Sequence, residues 1–422
     1  MMVVGGVIGS GIFLNPAVVA ERVGTAGGTM AVWVGGAVIA LMGAFVFAEL
    51  GQRRPAAGGG YAYLREAFGP MAGFLYAWGL LLIIATGAIA AVAMTFASYA
   101  VPLLGWADSA RQPLAGVAIG LLTLVNILGV RPGAWTQNIF TILKLAAIAA
   151  LVVAAFIGSA PVHAASVAAT TDAGNPIVVF GAALVPVLFA FGGWQQTNFV
   201  AEEMIDAERN LPRALVLGVL VVVAAYLLVN LAYLRALGVD GLAASDAPAA
   251  ETMAAVAGES GRRLIAAGIV ASTFGFLNLV ILVSPRVYQA MARDGLFFKR
   301  FAQLHPKWRT PVWALLMQGV WAVVLLLSGS YGDLLDYVVF ADWIFFGLTA
   351  ATLFVIRRRD AGTNSGFRVP LHPWTTLAFI AAAAYVVMGS VVSNPDNALR
   401  GSALLALGIP VFLYWRRRAP GT

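Results

Sequence analysis

The chain contains no cysteine and only three histidines, His163, His305 and His372, in 422 residues. The first absence excludes disulfides, thiol nucleophiles and cysteine-ligated metals, and says nothing about redox compartment. The histidines fall in stretches that read as loops, so neither a catalytic triad nor a metal cluster is expected in the interior. Charge is also scarce: 11% of residues are Asp, Glu, Lys or Arg, against 61% hydrophobic. Soluble domains carry about a quarter charged residues, and a soluble chain of this size could not hide so much apolar surface, whereas a bilayer accepts it. No GxxxxGK[ST] phosphate loop occurs, so an ATP-driven pump would need another subunit. No basic segment precedes the apolar start at Met1, so no cleavable signal peptide is expected.

What the chain has instead is apolar length. A spanning helix needs about 20 apolar residues, and such segments are read near 1–21, 29–50, 69–103, 113–130, 133–159, 176–204, 212–237, 262–292, 311–329, 333–356, 372–393 and 399–415. The predicted fold class is therefore an all-α integral membrane protein of about 12 transmembrane helices, with both termini on one side. Lys and Arg in the intervening segments set the orientation. Arg53, Arg54, Arg65, Arg131, Arg209, Arg213, Arg293, Lys299, Arg300, Lys307, Arg309 and Arg368 share one side with the runs Arg357-Arg358-Arg359 and Arg416-Arg417-Arg418. The opposite side holds only Arg22, Arg111, Arg235, Arg262, Arg263 and Arg400. The Arg-rich side, with both termini, is expected in the cytoplasm. The arginine runs each follow a span directly and read as stop-transfer anchors, so no nucleic-acid partner is expected. The longest polar stretches, 159–175 and 238–261, are assigned outside, the second with room for a short surface helix near Ala249–Ala257.

Two spans carry glycines that interrupt a helix. Span 1 contains Gly5-Gly6-Val7-Ile8-Gly9-Ser10-Gly11, and span 6 contains Phe189-Ala190-Phe191-Gly192-Gly193-Trp194. In hydrocarbon every backbone N–H and C=O needs a partner, so a broken helix is tolerated only where it lines a cavity. The breaks lie five spans apart, at matching places in blocks of opposite orientation, which points to a transporter site at mid-depth. Amides of Gly9, Ser10 and Gly11 at the start of a half-helix suit a carboxylate. Carbonyls near Val7, Phe189, Ala190 and Gly192 suit an ammonium. Together they would receive the zwitterion common to α-amino acids. Close helix packing through small residues is the competing reading of either break alone.

Lys144 lies about 16 Å along span 5 from Gly133, close to mid-bilayer, and is expected to brace the broken span 1 as a fixed cation or by exchanging a proton. Glu49, Glu202, Glu203 and Arg286 lie near the cytoplasmic edge and read as structural ion pairs. Asp342, in the outer half of span 10, is open to a structural or a coupling role.

With these residues in view, the chain resembles the amino acid–polyamine–organocation superfamily, most closely its L-type amino acid transporter branch. The resemblance is carried by Gly5-Gly6-Val7-Ile8-Gly9-Ser10-Gly11-Ile12-Phe13, by Ala48-Glu49-Leu50-Gly51 with Pro55 and Gly59-Gly60-Tyr61, by Asn198-Phe199-Val200-Ala201-Glu202-Glu203-Met204 with Glu208-Arg209-Asn210-Leu211-Pro212-Arg213-Ala214, and by Ser272-Thr273-Phe274-Gly275 with Asn278. It implies a five-plus-five inverted-repeat, leucine-transporter-like core over 1–159 and 176–356, and two further helices over 372–415, forming a single membrane domain. It further implies that Ser10 and Gly11 form the carboxylate turn, with Val7, Phe189 and Gly192 taking the amine. Ile8, Gly9, Ala190 and Phe191 complete the binding segments, and Phe189 and Trp194 are assigned to the gate. Lys144 matches a lysine that stands where sodium-coupled relatives hold an ion, which argues against sodium coupling.

Ala207 replaces the branch's proline before Glu208, and Gln195 follows Trp194 where the branch often has asparagine, which bears on side-chain selectivity. The chain opens inside span 1, and the sequence leaves open whether the native start lies upstream of Met1. The expectation is a non-enzymatic inner-membrane permease or antiporter for neutral L-amino acids, sodium-independent, by exchange or proton-linked uptake. It would need no cofactor and no metal, have membrane lipid as its surroundings, lack a disulfide-linked accessory chain, and be a monomer or weak oligomer. The alternatives are an amine or polyamine permease, disfavoured because spans 1 and 6 offer no mid-depth carboxylate, and a transport-inactive amino-acid sensor.

Overall fold

A computed structural model of the chain describes residues 1–158, 176–328, 331–361, 366–393 and 395–418. Every regular element among them is helical. Ten helices are long and apolar enough to cross a membrane: Ala26–Arg53, Pro70–Leu104, Asp108–Ile127, Trp135–Ile157, Val178–Glu203, Ala207–Ala243, Pro248–Arg293, Val338–Arg359, Trp374–Val392 and Pro395–Arg418. Span 9 is the shorter apolar helix Val312–Ser328. Span 1 is two pieces, Met2–Val7 and Gly11–Val23. The expected number of twelve includes these last two, which are too short to qualify by length alone. The stretch 159–175, with His163, lies outside the described residues.

The physical reason for this architecture is visible at helix ends and kinks. Thr25 caps span 2 by accepting from the Gly28 amide at 3.1 Å, a bond that a helix start needs because its first amides have no internal partner. Spans 7 and 8 run longer than their apolar stretches suggest. Gly238 (φ 70°) and Gly258 (φ 65°) redirect the chain within Ala207–Ala243 and Pro248–Val283. The piece from Pro248 to Gly258 covers the short helix expected near Ala249–Ala257, but it is not a free surface helix. Ala249 and Met253 are buried in the main core.

The spans contact one another in matching pairs. The Gly11–Val23 half of span 1 packs on the Pro176–Ala190 half of span 6, span 2 on span 7, span 3 on span 8, and span 4 on span 9. Span 3 also meets span 10, and span 8 meets span 5. Spans 4, 5 and 8 are joined through buried amides: Asn126 donates to Asn278 Oδ1 at 3.1 Å, and Asn278 donates to the Gly133 carbonyl at 2.9 Å. Span 3 contains one π-helical turn, Leu80–Ile84. The carbonyls there accept from side chains, Leu81 from Thr86 at 2.6 Å and Leu82 from Trp321 at 3.1 Å.

At the Arg-rich end, Glu49 is fully buried and ionically held. It accepts from Arg53 at 2.8 Å, from Arg357 at 2.8 and 2.5 Å, and from the Val369 amide at 2.7 Å. Asp360 pairs with Arg54, whose hydrogen bonds hold its carboxyl below the usual carboxylate range. Glu203 pairs with the buried Arg286 at 2.9 Å, and Glu202 with Arg293 at 3.6 Å. These acidic residues tie span ends together, as expected of structural pairs. Removing one partner of a buried pair leaves an uncompensated charge at a cost of about 3–5 kcal/mol. Glu49→Ala, which strands Arg357, is therefore expected to lower the melting temperature in detergent. An unchanged melting curve would show that the cluster does not hold spans 2 and 10.

Candidate substrate site between the two broken spans

Span 1 unwinds at Ile8, which is extended (φ −76°, ψ 91°), and resumes as helix from Gly11. Span 6 stops as α-helix at Ala190, turns through Phe191–Gly193, and resumes as a tight 3-10 helix over Trp194–Glu203. The two breaks press on each other. Gly193 has φ 105°, and a Cβ there would lie 2.1 Å from the Gly6 carbonyl oxygen. Gly11 is similarly pressed, with Ala190 Cα 2.8 Å from where its Cβ would be. Small residues permit this approach, and the left-handed conformation at Gly193 favours glycine as well.

The exposed peptide groups are then partly accounted for. Lys144, fully buried, donates from Nζ to the carbonyls of Gly5 at 3.0 Å and Ile8 at 2.5 Å. Tyr226 of span 7 donates from its hydroxyl, within reach of the Val7 carbonyl at 3.0 Å and the Ala190 carbonyl at 3.1 Å. It therefore touches both breaks at once. Ser272 Oγ lies 3.4 Å from the Ile8 carbonyl. The amides of Ser10 and Gly11, by contrast, donate to no described residue.

Ser10 and Gly11 border a cavity of about 60 Å³. Its walls come from Val7, Gly9, Ser10 and Gly11 of span 1, and from Leu188, Phe189, Ala190, Gly192, Gly193, Gln195, Gln196 and Phe199 of span 6. Span 3 adds Leu80, Ile84, Ala85, Ala88 and Val92, span 8 Phe276 and Ser284, and span 10 Val338, Val339, Asp342, Trp343 and Phe346. The π turn thus lies in the wall, where such turns often occur. Three cavity-lining residues, Ser10, Gln196 and Ser284, each have a buried side-chain oxygen without a hydrogen-bond partner. Buried polar atoms are normally paired, so each such atom calls for an explanation, and a polar ligand in this cavity would provide one.

Of the residues singled out from sequence, Val7, Gly9, Ser10, Gly11, Phe189, Ala190 and Gly192 border the cavity, while Ile8, Phe191 and Trp194 do not. Ile8 contributes only its carbonyl, to Lys144. Phe191 packs edge-on against Trp33 and close to Tyr226. Trp194, assigned to the gate from sequence, is packed among aromatic rings. Its ring packs against Phe47 at 4.9 Å, Phe346 at 5.4 Å and Phe379 at 6.3 Å between centroids, fastening span 6 to spans 2, 10 and 11. The sequence ties Gln195 to side-chain selectivity and leaves Asp342 open to a structural or a coupling role, but it does not single out Gln196, which lines the cavity, or Tyr226, which touches both breaks. An acid or tyrosine inside a span was a visible signal, but nothing in the linear pattern said which cavity it faced. The search for a mid-depth carboxylate stopped at spans 1 and 6, and span 10 supplies one.

Against known proteins, the model of a family described as amino acid permease matches residues 1–412. The chain belongs to the amino acid permease family. This permease is 32% identical to the serine/threonine exchanger SteT of Bacillus subtilis, over 99% of its own length and 95% of that protein's. It is 31% identical to the human large neutral amino acids transporter small subunit 2, over 99% and 79% of the two chains, and 31% identical to the human Asc-type amino acid transporter 1, over 99% and 81%. These relatives are named as an exchanger and transporters, not as enzymes. With no cysteine, it can form no disulfide to an accessory chain.

Gly193→Ala is expected to destabilise the permease by about 2 kcal/mol or more, through a clash with Gly6 and a left-handed backbone that alanine disfavours. Thermal unfolding in detergent checks this. A wild-type melting temperature would mean that the breaks are not pressed together as described.

Proposed function

We propose that this permease exchanges small neutral L-amino acids across the inner membrane by alternating access around the cavity between spans 1 and 6. The observation that carries the reading is the pair of unpartnered Ser10 and Gly11 amides. They stand at the N-terminal end of the Gly11–Val23 half-helix, and Ser10 and Gly11 line a cavity that Val7, Phe189, Ala190 and Gly192 line as well. Free amides at a helix start attract an anion, and the carbonyls at Val7 and Phe189–Gly192, each with a second lone pair, attract an ammonium. One α-amino acid satisfies both ends. The relatives' printed activities, exchange of serine and threonine and transport of neutral amino acids, support the class.

Residues 1–159 and 176–356 act in this reading as inverted repeats, and 372–415 as appended helices. Both termini face the cytoplasm, in keeping with the arginine-rich loops. Phe189 serves as the gate. Ser10, Gly11, Val7, Gly9, Ala190 and Gly192 hold the backbone of the substrate. Lys144 provides a resident cation for the carbonyls freed in span 1, so no sodium ion is needed there. Exchange is preferred over proton-linked uptake. The protein works as a monomer or weak oligomer among membrane lipids.

Purified protein in liposomes preloaded with unlabelled alanine is expected to take up labelled alanine, faster than empty-core liposomes do and equally well when choline replaces sodium. No flux with any amino acid or polyamine would defeat the reading, and binding without flux would favour a sensor. Lys144→Ala removes both charge-assisted bonds to span 1. It is expected to slow exchange by at least about tenfold, given that such bonds contribute about 1.5–3 kcal/mol, while the protein still purifies folded. Wild-type exchange by that variant from about pH 5 to pH 8, the range in which buried amines titrate, would remove the lysine from the mechanism.

A further inference from the structure

Glu49 and Asp342 are carboxylates within the spans, the first fully buried and the second partly buried, and they are treated very differently. Glu49 has two arginines and a backbone amide around it. Asp342 borders the cavity and has one side-chain partner among the described residues, Gln195 Nε2, at a long 3.5 Å. No lysine or arginine among the described residues lies within ion-pair distance of it. A carboxylate within a membrane span is costly and is kept where it faces a partner or a pathway, and an incompletely bonded one is costlier still. Asp342 joins span 10 to span 6 only through that one long bond, so a structural role accounts for little of it.

Its position supplies the explanation. Gln195 uses its carbonyl oxygen to accept from the Gly193 amide at 3.0 Å, which fixes the side chain to the break in span 6 and turns its amide nitrogen toward Asp342. The pair therefore stands on the span 6/span 10 side of the cavity, while the Ser10 and Gly11 amides stand on the span 1 side. Around Asp342 the wall is apolar and aromatic, with Val338, Val339, Trp343 and Phe346. A single acceptor set in an apolar wall discriminates by hydrogen bonding, because a substrate that cannot donate leaves the acceptor buried and unpaired.

We propose that Asp342, positioned by Gln195, is a side-chain subsite that selects amino acids whose short side chain donates a hydrogen bond over apolar side chains of the same shape. This rests on the proposed amino acid carrier and names its substrate class: the donor is a hydroxyl or a short ammonium. Asp342 accepts from it, and the aromatic wall limits its length.

The test is competition against labelled alanine exchange in proteoliposomes, using two near-isosteric pairs: threonine with valine, and 2,3-diaminopropionate with 2-aminobutyrate. In the wild-type protein the donor-bearing member of at least one pair is expected to compete about tenfold or more better than its apolar partner, the discrimination of one lost hydrogen bond to a buried charged group. The pair showing the larger ratio identifies hydroxyl or ammonium as the donor. Asp342→Asn keeps an acceptor and is expected to retain part of that ratio. Asp342→Leu is expected to bring it to within about twofold, each variant being compared only with itself. Equal competition within both pairs in the wild-type protein, or an undiminished ratio in Asp342→Leu, overturns the proposal. Should the variants fail to fold, the wild-type ratios decide it. Should alanine not be exchanged at all, the carrier reading fails separately, and thermal shift of the wild-type protein by threonine against valine still reads the subsite.

Discussion

The constraint on which the rest of this structure depends is that peptide groups inside a membrane cannot be left without partners. Breaking two helices at mid-depth exposes several at once, and the surrounding spans are arranged to meet most of them. Lys144 reaches across from span 5 to two carbonyls of span 1. Tyr226 reaches from span 7 to one carbonyl of each broken span. Gly6 and Gly193 bring the two breaks so close that only backbone lies between them. The amides of Ser10 and Gly11 and the side-chain oxygens of Ser10, Gln196 and Ser284 have no partner among the described residues, and these four residues line one shared cavity. Function follows from this incompleteness: a site is where the protein has left peptide and side-chain polarity for another molecule to satisfy.

The same constraint separates structural charges from working ones. Glu49, Glu203 and Asp360 are each held by arginines at the Arg-rich end, where they join spans whose helices end there. Among the described residues, Lys144 pairs with no carboxylate and donates to two backbone carbonyls. Asp342 has a single weak partner and a cavity beside it. Counting charges in the spans would have ranked these residues together, whereas their partners sort them into different tasks.

Much of this was legible in the sequence because it rests on local chemistry. Glycine pairs five spans apart mark both interruptions, and apolar length marks the helices. Lys144 was placed at mid-depth by counting rise per residue from Gly133, which is why its contact with span 1 could be anticipated. What was not legible depends on how helices rotate about their axes. Trp194 sits in the broken segment, yet its ring turns away to pack with Phe47, Phe346 and Phe379, and Phe191 turns toward Trp33. Asp342 turns inward from a span that carries no glycine signal. Gly238 and Gly258 bend spans 7 and 8 through a polar stretch that reads as a loop, because the apolar residues there, Ala249 and Met253, are too few to announce a buried turn of helix.

The π turn at Leu80–Ile84 has a consequence for the shape of the cavity. In a regular α-helix one extra residue would turn everything beyond it by about 100° around the axis, whereas a π turn takes up that residue in one wider turn. Leu80 and Ile84 lie within that turn, and Ala85, Ala88 and Val92 follow it, and all five face the same space. The segments on either side of the turn thus keep a common face toward the cavity. What the widened turn adds is local: it leaves the carbonyls of Leu81 and Leu82 open to the side chains of Thr86 and Trp321.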